Sequence, residues 1–267
     1  MTSKSDRNFD ELADRFIDRI HNSEKGALRR EIIERDMHEV FPGFYQNTVD
    51  SLGSNRFEAC DIGAGAGYFS MLCARHGHRI IYSELSERLL SMAKKEAIAQ
   101  QLENKIDWHH GSFQDLNCTP LDLIFCHGVI EWLVQPEDLF AFIDQRLKPK
   151  GRLSLCFYNA DAAMFANLLK GNFNWVERYA NKQITNDMFS LTPSAPPSPQ
   201  WVYDKLIEHG LVIDKASGIR VFSDYTKSVK GGLQNNTTTK DMEITMSDQE
   251  PYWRLGRYIH VIATKQG

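Results

Sequence analysis

The sequence predicts an α/β protein built around a mostly parallel β-sheet. Short apolar runs alternate with amphipathic segments between residues 57 and 158, and this alternation favours parallel strands covered by helices on both faces. A glycine-rich turn, DIGAGAG at residues 61–67, joins the first apolar run to the amphipathic segment that follows. A chain of 267 residues is long enough to bury the core of one such domain.

Hydrophobic periodicity places the individual elements. Phe9, Leu12, Phe16 and Ile20 recur at helical spacing and predict an N-terminal amphipathic helix. Strands are expected over residues 57–62, 79–83, 106–110, 121–126, 153–158, 211–221 and 258–264. Helices are expected over residues 9–20, 27–41, 68–75, 87–101, 136–147, 160–169 and 201–209.

Two stretches carry no regular period. Residues 171–199 end in TPSAPPSP, which rules out a core element there, so this stretch is expected to be an irregular insertion. Residues 230–242, KGGLQNNTTTKDM, are polar and expected to be exposed. We therefore expect one domain over residues 1–267, with an N-terminal helical cap (1–50), a ligand-binding core (51–159), a helix and insertion (160–200), and a C-terminal helix and strands (201–267).

Composition excludes several classes of protein. A formal net charge of −4 argues against coating nucleic acid by charge alone, and no DNA partner is expected. No apolar run approaches the ~20 residues of a membrane span, and the charged N-terminus lacks a signal core. The five cysteines form no CxxC pair, which favours buried thiols in a cytoplasmic protein. No cluster has metal-ligand spacing, so no metal is expected; the oligomeric state is left open.

The glycine turn indicates the ligand. Its spacing is GxGxG, with Gly63 and Gly65 preceded by Asp61, rather than the GxGxxG of dinucleotide sites. A carboxylate at this point would repel a pyrophosphate but attract an ammonium and a sulfonium, both carried by S-adenosylmethionine. Glu84 ends the next predicted strand, where an acid can accept hydrogen bonds from a ribose diol. A turn that merely requires glycines is the alternative.

Later strand ends supply further candidates, because ligands of open α/β sheets lie beyond the carboxyl ends of the strands. Phe113 and Gln114 follow the third strand and are placed to frame an adenine; for Phe113, ordinary core packing is the alternative. His127 follows the fourth strand, close to the expected sulfonium, and its alternative is a core histidine. Together these positions match the Rossmann-like pattern of class I methyltransferases.

Beyond the cofactor motifs, the chain resembles the bacterial tRNA 5-carboxymethoxyuridine methyltransferases almost from end to end. The similar segments are DRNFDELADRF, KGALR, DIGAGAGY, FCHGVIEWL, FYNA, GNF, GIRVFSDY and EPYWRLGRYIHVIATK. FYNA with GNF, GIRVFSDY and the last segment are the most diagnostic, since nothing in a cofactor fold requires them. The resemblance implies a class I sheet with an antiparallel last strand, and methyl esterification of the carboxymethoxy group on the wobble uridine of tRNA.

The resemblance also implies the residues that contact S-adenosylmethionine. These are Arg29 (in KGALR), Gly63, Ala64, Glu84, Phe113, Gln114 and His127. The chain departs from the family pattern in four places that matter. The Ala64 position is often glycine, the Glu84 position is usually aspartate, and the Cys126 position is less fixed. A lysine-rich run that commonly follows GNF is replaced by a stretch with only Arg178 and Lys182 as cations.

The expected reaction needs no general base, because a carboxylate with a reference pKa near ~4 is already ionised at neutral pH. The protein must hold that carboxylate, a task suited to a bidentate arginine. Arg220 in GIRVF and Arg257 in LGRYI are the candidates, together with Tyr158 and Asn159 at the end of the fifth strand. Structural ion pairs are the alternative for both arginines.

A tRNA substrate would also require stacking and phosphate contacts. The candidates for stacking are Trp175, Tyr179 and Phe189, and those for phosphates are Lys170, Arg178, Lys182, Lys227, Lys230 and Lys240. A solvated face is the alternative for these scattered cations. Two other functions stay open: a methyltransferase for a small carboxylate or another metabolite, favoured by the missing lysine run, and a non-catalytic protein that binds S-adenosylmethionine.

Overall fold

A computed structural model describes residues 6–46, 56–184, 190–226 and 236–267. Its described strands form one seven-stranded sheet in the order β3-β2-β1-β4-β5-β7-β6. The strands are β1 (Glu58–Ile62), β2 (Arg79–Glu84), β3 (Ile106–His110), β4 (Leu121–His127), β5 (Leu147–Tyr158), β6 (Leu211–Ile219) and β7 (Tyr258–Lys265).

The predicted mixture of strand directions is confirmed. β1 to β5 run parallel to one another. β7 pairs antiparallel with both β5 and β6. The order reverses between β1 and β4, so the loops after these strands diverge and leave a crevice at the carboxyl edge of the sheet. That edge is where the predicted cofactor residues lie.

Helices cover both faces of the sheet. They are α1 (Ala13–Phe16), α2 (Glu24–Val40), α3 (Tyr68–Arg75), α4 (Glu87–Ala99), α5 (Glu137–Arg146), α6 (Ala160–Leu169), α7 (Phe173–Ala180), α8 (Pro199–Glu208) and α9 (Asn236–Met246). Ser23, Ser86 and Ser198 each accept a backbone hydrogen bond at a helix start, which satisfies amide groups that the helix leaves unpaired. These polar caps fix where the helices begin.

The core lies in two layers, one on each side of the sheet. Alternation along β4 divides them: Phe125 packs into the layer under α2, α3 and α4, and Ile124 packs into the layer under α5 and α8. Both side chains are fully buried. The period of two in a strand thus makes a single apolar run serve both layers.

Two helices lie where the sequence predicts irregular chain. α7 occupies part of residues 171–199, where Trp175 and Tyr179, four residues apart, stack on each other. α9 begins within the polar stretch 230–242 and continues to Met246. Its residue Glu243 is buried and accepts backbone hydrogen bonds from residues 221–223. Tertiary contacts, rather than propensity, account for the helix at this polar segment.

The predicted helix over residues 9–20 is more irregular than its periodicity indicates. It consists of a 3-10 turn at Asp10–Leu12, α1, and a π-helical turn at Ile17–His21. Within the described residues, no helix is long and apolar enough to cross a membrane.

Candidate active site

A cavity lies at the crevice where the strand order reverses. The empty space within it, counted together with the open solvent at its mouth, is about 960 Å³. Its walls come from the loops after β1, β2, β3 and β4, from α2, and from the N-terminal turns. The sequence-predicted residues that line it are Arg29, Gly63, Gly65, Glu84, Phe113 and His127.

The glycine loop approaches its neighbours too closely for side chains. Gly63 has φ +60°, and a Cβ there would lie 2.5 Å from Cγ2 of Val129. A side chain at this position would therefore clash with the loop after β4 and strain the backbone. This packing alone accounts for glycine at position 63, and direct contact between a ligand and the turn stays a prediction.

Asp61 and Ala64 are placed differently from the prediction. The Asp61 carboxylate is buried and accepts hydrogen bonds from the Ser70 amide (3.1 Å) and hydroxyl (2.7 Å). Burial raises the pKa of Asp61 to about 7, against the lowering effect of these hydrogen bonds. Neither Asp61 nor Ala64 lines the cavity. In this structure the Asp61 carboxylate ties β1 to α3, and its expected contact with the cofactor ammonium stays a prediction.

Glu84 is held in place by the backbone. Its two carboxylate oxygens accept hydrogen bonds from the Gly65 and Ser86 amides, each at 2.9 Å. Burial raises the pKa of Glu84, while these backbone hydrogen bonds act in the opposite direction. The Leu85 amide is a third backbone donor to this carboxylate. A carboxylate has about four acceptor sites, so Glu84 can still accept a hydrogen bond from a ligand diol.

The two residues expected to frame an adenine are separated. Phe113 lines the cavity and also packs edge-on against Phe142, with ring centroids 5.3 Å apart. Its position is therefore compatible both with the predicted adenine contact and with the alternative of core packing. The Gln114 side chain is exposed and donates to Asp138 at 2.8 Å. The geometry therefore keeps Phe113 as a candidate adenine contact and directs the Gln114 side chain away from the cavity.

His127 combines a buried ring with one unused nitrogen. Nε2 lies 2.9 Å from the Ser154 hydroxyl, whereas Nδ1 is buried and has no hydrogen-bond partner among the described residues. Burial, aided by His260 and Arg29, keeps the pKa of His127 well below its usual value. His127 therefore presents a neutral imidazole to the cavity.

Glu131 is a site residue that sequence reasoning missed. It lines the cavity, and its Oε1 accepts a hydrogen bond from the Tyr158 amide at 3.3 Å. Burial raises the pKa of Glu131 to about 7, and the Arg29 charge is among the influences that oppose the shift. The signal was present in FCHGVIEWL, where an acid stands one short turn beyond β4.

A cluster of charges adjoins the cavity beside the end of β5. Arg220 and Arg257 both donate to the Asp224 carboxylate, Arg257 at 3.1 Å, and Lys25 lies 3.7 Å from it. The Arg257 guanidinium lies over the Tyr158 ring, 5.0 Å from its centroid. Gly218 and Gly256 allow the segments that carry Arg220 and Arg257 to approach each other closely, because a Cβ on Gly256 would lie 2.5 Å from the Gly218 Cα.

The Asn159 side chain makes structural contacts, and its role as a substrate ligand stays a prediction. Its side-chain amide donates to the Arg254 and Gly256 carbonyls, both at 2.9 Å. Its side-chain oxygen accepts from the Asp161 amide at 2.9 Å, capping α6. These contacts use the fully buried side chain to join the end of β5 to the segment before β7.

The predicted stacking residues of the insertion contact each other. Trp175 and Tyr179 stack with centroids 5.1 Å apart, and the Tyr179 hydroxyl donates to the Pro196 carbonyl at 2.8 Å. Lys240 pairs with Glu31. Phe189, Lys227 and Lys230 lie outside the described residues.

Comparison with known proteins decides the family. Residues 60–155 match the methyltransferase-domain family. The tRNA 5-carboxymethoxyuridine methyltransferase of Escherichia coli strain K12 is 34% identical over 263 residues, which cover 97% of each chain. The chain belongs to this family. It is an S-adenosylmethionine-dependent methyltransferase of class I, and the resemblance identified in the sequence is confirmed.

More distant likenesses agree on the domain. The mitochondrial ubiquinone biosynthesis O-methyltransferase of Schizosaccharomyces pombe is 33% identical over 97 residues, 36% of this chain and 35% of that one. The fold resembles magnesium protoporphyrin IX methyltransferase from Synechocystis PCC 6803 with bound SAH, with a TM-score of 0.61, 12% identity, and coverage of 97% and 96%. These structural likenesses concern the fold alone.

The cavity suits the cofactor of the family. Glu84 offers acceptors for a ribose diol, Gly63 and Gly65 line the cavity without side chains, and the His127 Nδ1 atom is a buried polar atom without a partner among the described residues. When bound, S-adenosylmethionine supplies an electrophilic methyl group. Arg29, which lines the same cavity from α2, has the charge to bind the carboxylate of its amino-acid part.

Proposed function

We propose that this family member methylates the carboxylate of 5-carboxymethoxyuridine at the wobble position of tRNA, giving the methyl ester. The observation that carries the proposal is the pair Arg220 and Arg257, which converge on one carboxylate beside the cofactor cavity. The name of the Escherichia coli relative supports the same substrate. The segments that bring the two arginines together are those that a cofactor fold does not require.

The charge of this cluster supports its role. Lys25, Arg220 and Arg257 carry three positive charges against one on Asp224, which leaves an excess of two for an incoming carboxylate. The Arg257 Nε atom is buried and has no acceptor among the described residues. An incoming carboxylate would satisfy this donor, and a charge-assisted hydrogen bond of this kind is stronger than a neutral one.

The cluster adjoins the cofactor through two tyrosines. Tyr258 lines the cavity and packs edge-on against Tyr158, with centroids 5.2 Å apart. Arg257 lies over Tyr158, and Arg29 lies 5.6 Å from the Tyr258 centroid. These contacts link the Asp224 cluster to the wall of the cavity, which supports a substrate carboxylate held beside the methyl donor.

The chemistry then reduces to alignment. The substrate carboxylate is ionised without help, one of its oxygens attacks the methyl carbon, and the thioether leaves with the bonding electrons. Positioning two reactants in this way contributes up to ~7–11 kcal/mol to lowering a barrier. Arg220 and Arg257 would orient the nucleophile, and Tyr158 would hold Arg257 in place.

An apolar and basic surface on α6 and α7 supports a macromolecular substrate. Leu169 is 55% exposed and Phe173 is 65% exposed, and Lys170 and Arg178 lie on the same pair of helices. Exposed apolar and aromatic side chains next to cations suit a splayed base and its phosphates.

Methyl transfer in the presence of different substrates tests the proposal. The protein is incubated with S-adenosylmethionine and either tRNA that carries 5-carboxymethoxyuridine or the free nucleoside. Transfer to tRNA with steep salt dependence supports the proposal, since phosphate contacts weaken with salt. Equal transfer to the free nucleoside, independent of salt, would favour the second candidate, a methyltransferase for small carboxylates, which the missing lysine run supports.

A further inference from the structure

Three buried side chains, Asp36, Ser154 and His260, and the half-buried His127 form one row of hydrogen bonds from α2 to the cavity. His127 Nε2 lies 2.9 Å from the Ser154 hydroxyl, and that hydroxyl lies 2.9 Å from His260 Nε2. His260 Nδ1 lies 2.7 Å from the Asp36 carboxylate. The three sheet residues come from the neighbouring strands β4, β5 and β7. The row ends at His127, which lines the cavity and whose buried Nδ1 atom has no hydrogen-bond partner among the described residues.

The far end of the row is fixed as an acceptor. Asp36 is fully buried and accepts hydrogen bonds from Arg35 Nη2 at 2.6 Å and Nε at 3.1 Å. Burial raises the pKa of Asp36, but the contacts with His260 and Arg35 outweigh burial and hold this pKa below its usual value. An ionised carboxylate only accepts hydrogen bonds, so His260 carries a proton on Nδ1.

The positions of the remaining protons follow in sequence. Arg35 already balances the Asp36 charge, and the His260 ring is fully buried. If His260 carries only its Nδ1 proton, its Nε2 atom accepts from the Ser154 hydroxyl. A hydroxyl that donates its proton to His260 is left with lone pairs, and it accepts from His127 Nε2.

We propose that Asp36, His260 and Ser154 are positioning residues that fix His127 as its Nε2–H tautomer. The Nδ1 lone pair is then aimed into the cavity as an acceptor for the ammonium of the cofactor's amino-acid part. The cavity wall beside it supports this ligand end, since Arg29 and Glu131 also lie there. With Asp61 engaged by Ser70, the row supplies the cofactor ammonium with an acceptor that the glycine motif does not.

This inference rests on cofactor binding by the family fold and does not depend on the substrate. A tRNA that fails to be methylated would leave it unaffected. In the same way, finding the other tautomer at His127 would not contradict the proposed substrate.

Nitrogen NMR of the whole protein tests the tautomer directly, because protonated and unprotonated ring nitrogens have well separated shifts. The His127 signals are assigned by their loss in His127→Asn. In the wild-type protein without ligand we expect a protonated Nε2 and an unprotonated Nδ1. Adding S-adenosylmethionine should shift Nδ1 as it accepts a hydrogen bond. A protonated Nδ1 in the wild type would overturn the proposal.

Ser154→Ala removes the central hydroxyl, and Ser217→Ala is its control. Ser217 is equally buried, on β6 opposite His260, and its hydroxyl contacts Arg35 rather than the histidines. In Ser154→Ala we expect mixed His127 tautomers and S-adenosylmethionine affinity lower by about tenfold, measured by calorimetry. Ser217→Ala should retain the wild-type tautomer and affinity. Equal effects of both variants, or none from Ser154→Ala, would contradict the role of the row.

Discussion

The Arg257 amide donates a hydrogen bond to the Arg220 carbonyl at 3.4 Å, and the two guanidiniums share the carboxylate of Asp224. Arg220 adopts φ +63°, a conformation that costs free energy for a residue with a side chain and is common at functional sites. Two segments 37 positions apart in the chain thus meet beside the cofactor cavity, which supports a site built for a carboxylate.

Replacing Arg220 by Ala should separate catalysis from cofactor binding. Loss of a guanidinium that holds the substrate carboxylate should lower kcat/KM for tRNA by about 100-fold. S-adenosylmethionine affinity, measured by calorimetry, should stay within about twofold because Arg220 does not line the cavity. Arg254→Ala is the control, since Arg254 is exposed and pairs only with Glu250 among acidic groups of the described residues. Equal losses of transfer and cofactor binding in Arg220→Ala would argue for a structural ion pair.

Glu84→Gln should weaken the cofactor rather than the substrate. A glutamine keeps one acceptor oxygen but turns a donor toward the Gly65 or Ser86 amide. We expect S-adenosylmethionine affinity to fall by about 10-fold or more, with KM for tRNA little changed. Glu87→Gln, at the exposed start of α4, provides the control. Unchanged cofactor affinity in Glu84→Gln would remove this carboxylate from the binding site.

Glu131→Gln should stabilise the fold at alkaline pH. The folded-state pKa of Glu131 is raised from 4.5 to about 7, so the native state keeps a proton that the unfolded chain loses over that range. Wild-type stability attributable to this group is therefore fully present below pH 4.5 and is lost as the pH rises through 7. Above pH 7 the variant should gain about 3 kcal/mol in the free energy of unfolding.

Urea unfolding at pH 4.5 and pH 8 measures this difference. The gap between Glu131→Gln and the wild type should be near zero at the lower pH and largest at the higher one. Glu137→Gln, an exposed neighbour at the start of α5, should show no such dependence. A gap of equal size at both pH values would show that Glu131 stays ionised in the folded protein.

Cations of α6 and α7 should contribute to tRNA binding. Lys170→Gln combined with Lys182→Gln removes two exposed charges at the ends of these helices. KM for tRNA should rise, and the slope of its logarithm against the logarithm of salt concentration should fall by roughly 0.7–0.9 for each lost phosphate contact. Lys95→Gln with Lys105→Gln, exposed at the β3 edge, should leave the slope unchanged. The same slope in both pairs would place the tRNA elsewhere.

The order of elements and the cofactor edge were predictable because they depend on local patterns. The buried run of β4 and the positive-φ turn at Gly63 follow from apolar periodicity and glycine spacing. α9 was not predictable in this way. Its polar sequence carries no apolar stripe, and its docking depends on buried Glu243 meeting amides about twenty positions earlier in the chain.

Side-chain roles were harder to predict than positions. Asp61 and Asn159 occupy the expected strand ends, but Ser70 and the Gly256 carbonyl satisfy them, and no local pattern reveals such partners. The contact between Asp36 and His260 joins residues 224 positions apart. Only the packing of α2 on the sheet brings them together, so the row of hydrogen bonds that ends at His127 could not be predicted from the sequence.

Methyl-ester formation on tRNA tests the central claim most directly. The pure protein is incubated with S-adenosylmethionine and tRNA bearing 5-carboxymethoxyuridine, and the digested nucleosides are analysed by mass spectrometry. We predict the appearance of the methyl-ester nucleoside, and its strong reduction when Arg220→Ala replaces the wild type. Its absence, with S-adenosylmethionine binding intact, would contradict the proposed substrate and make a small carboxylate the leading candidate.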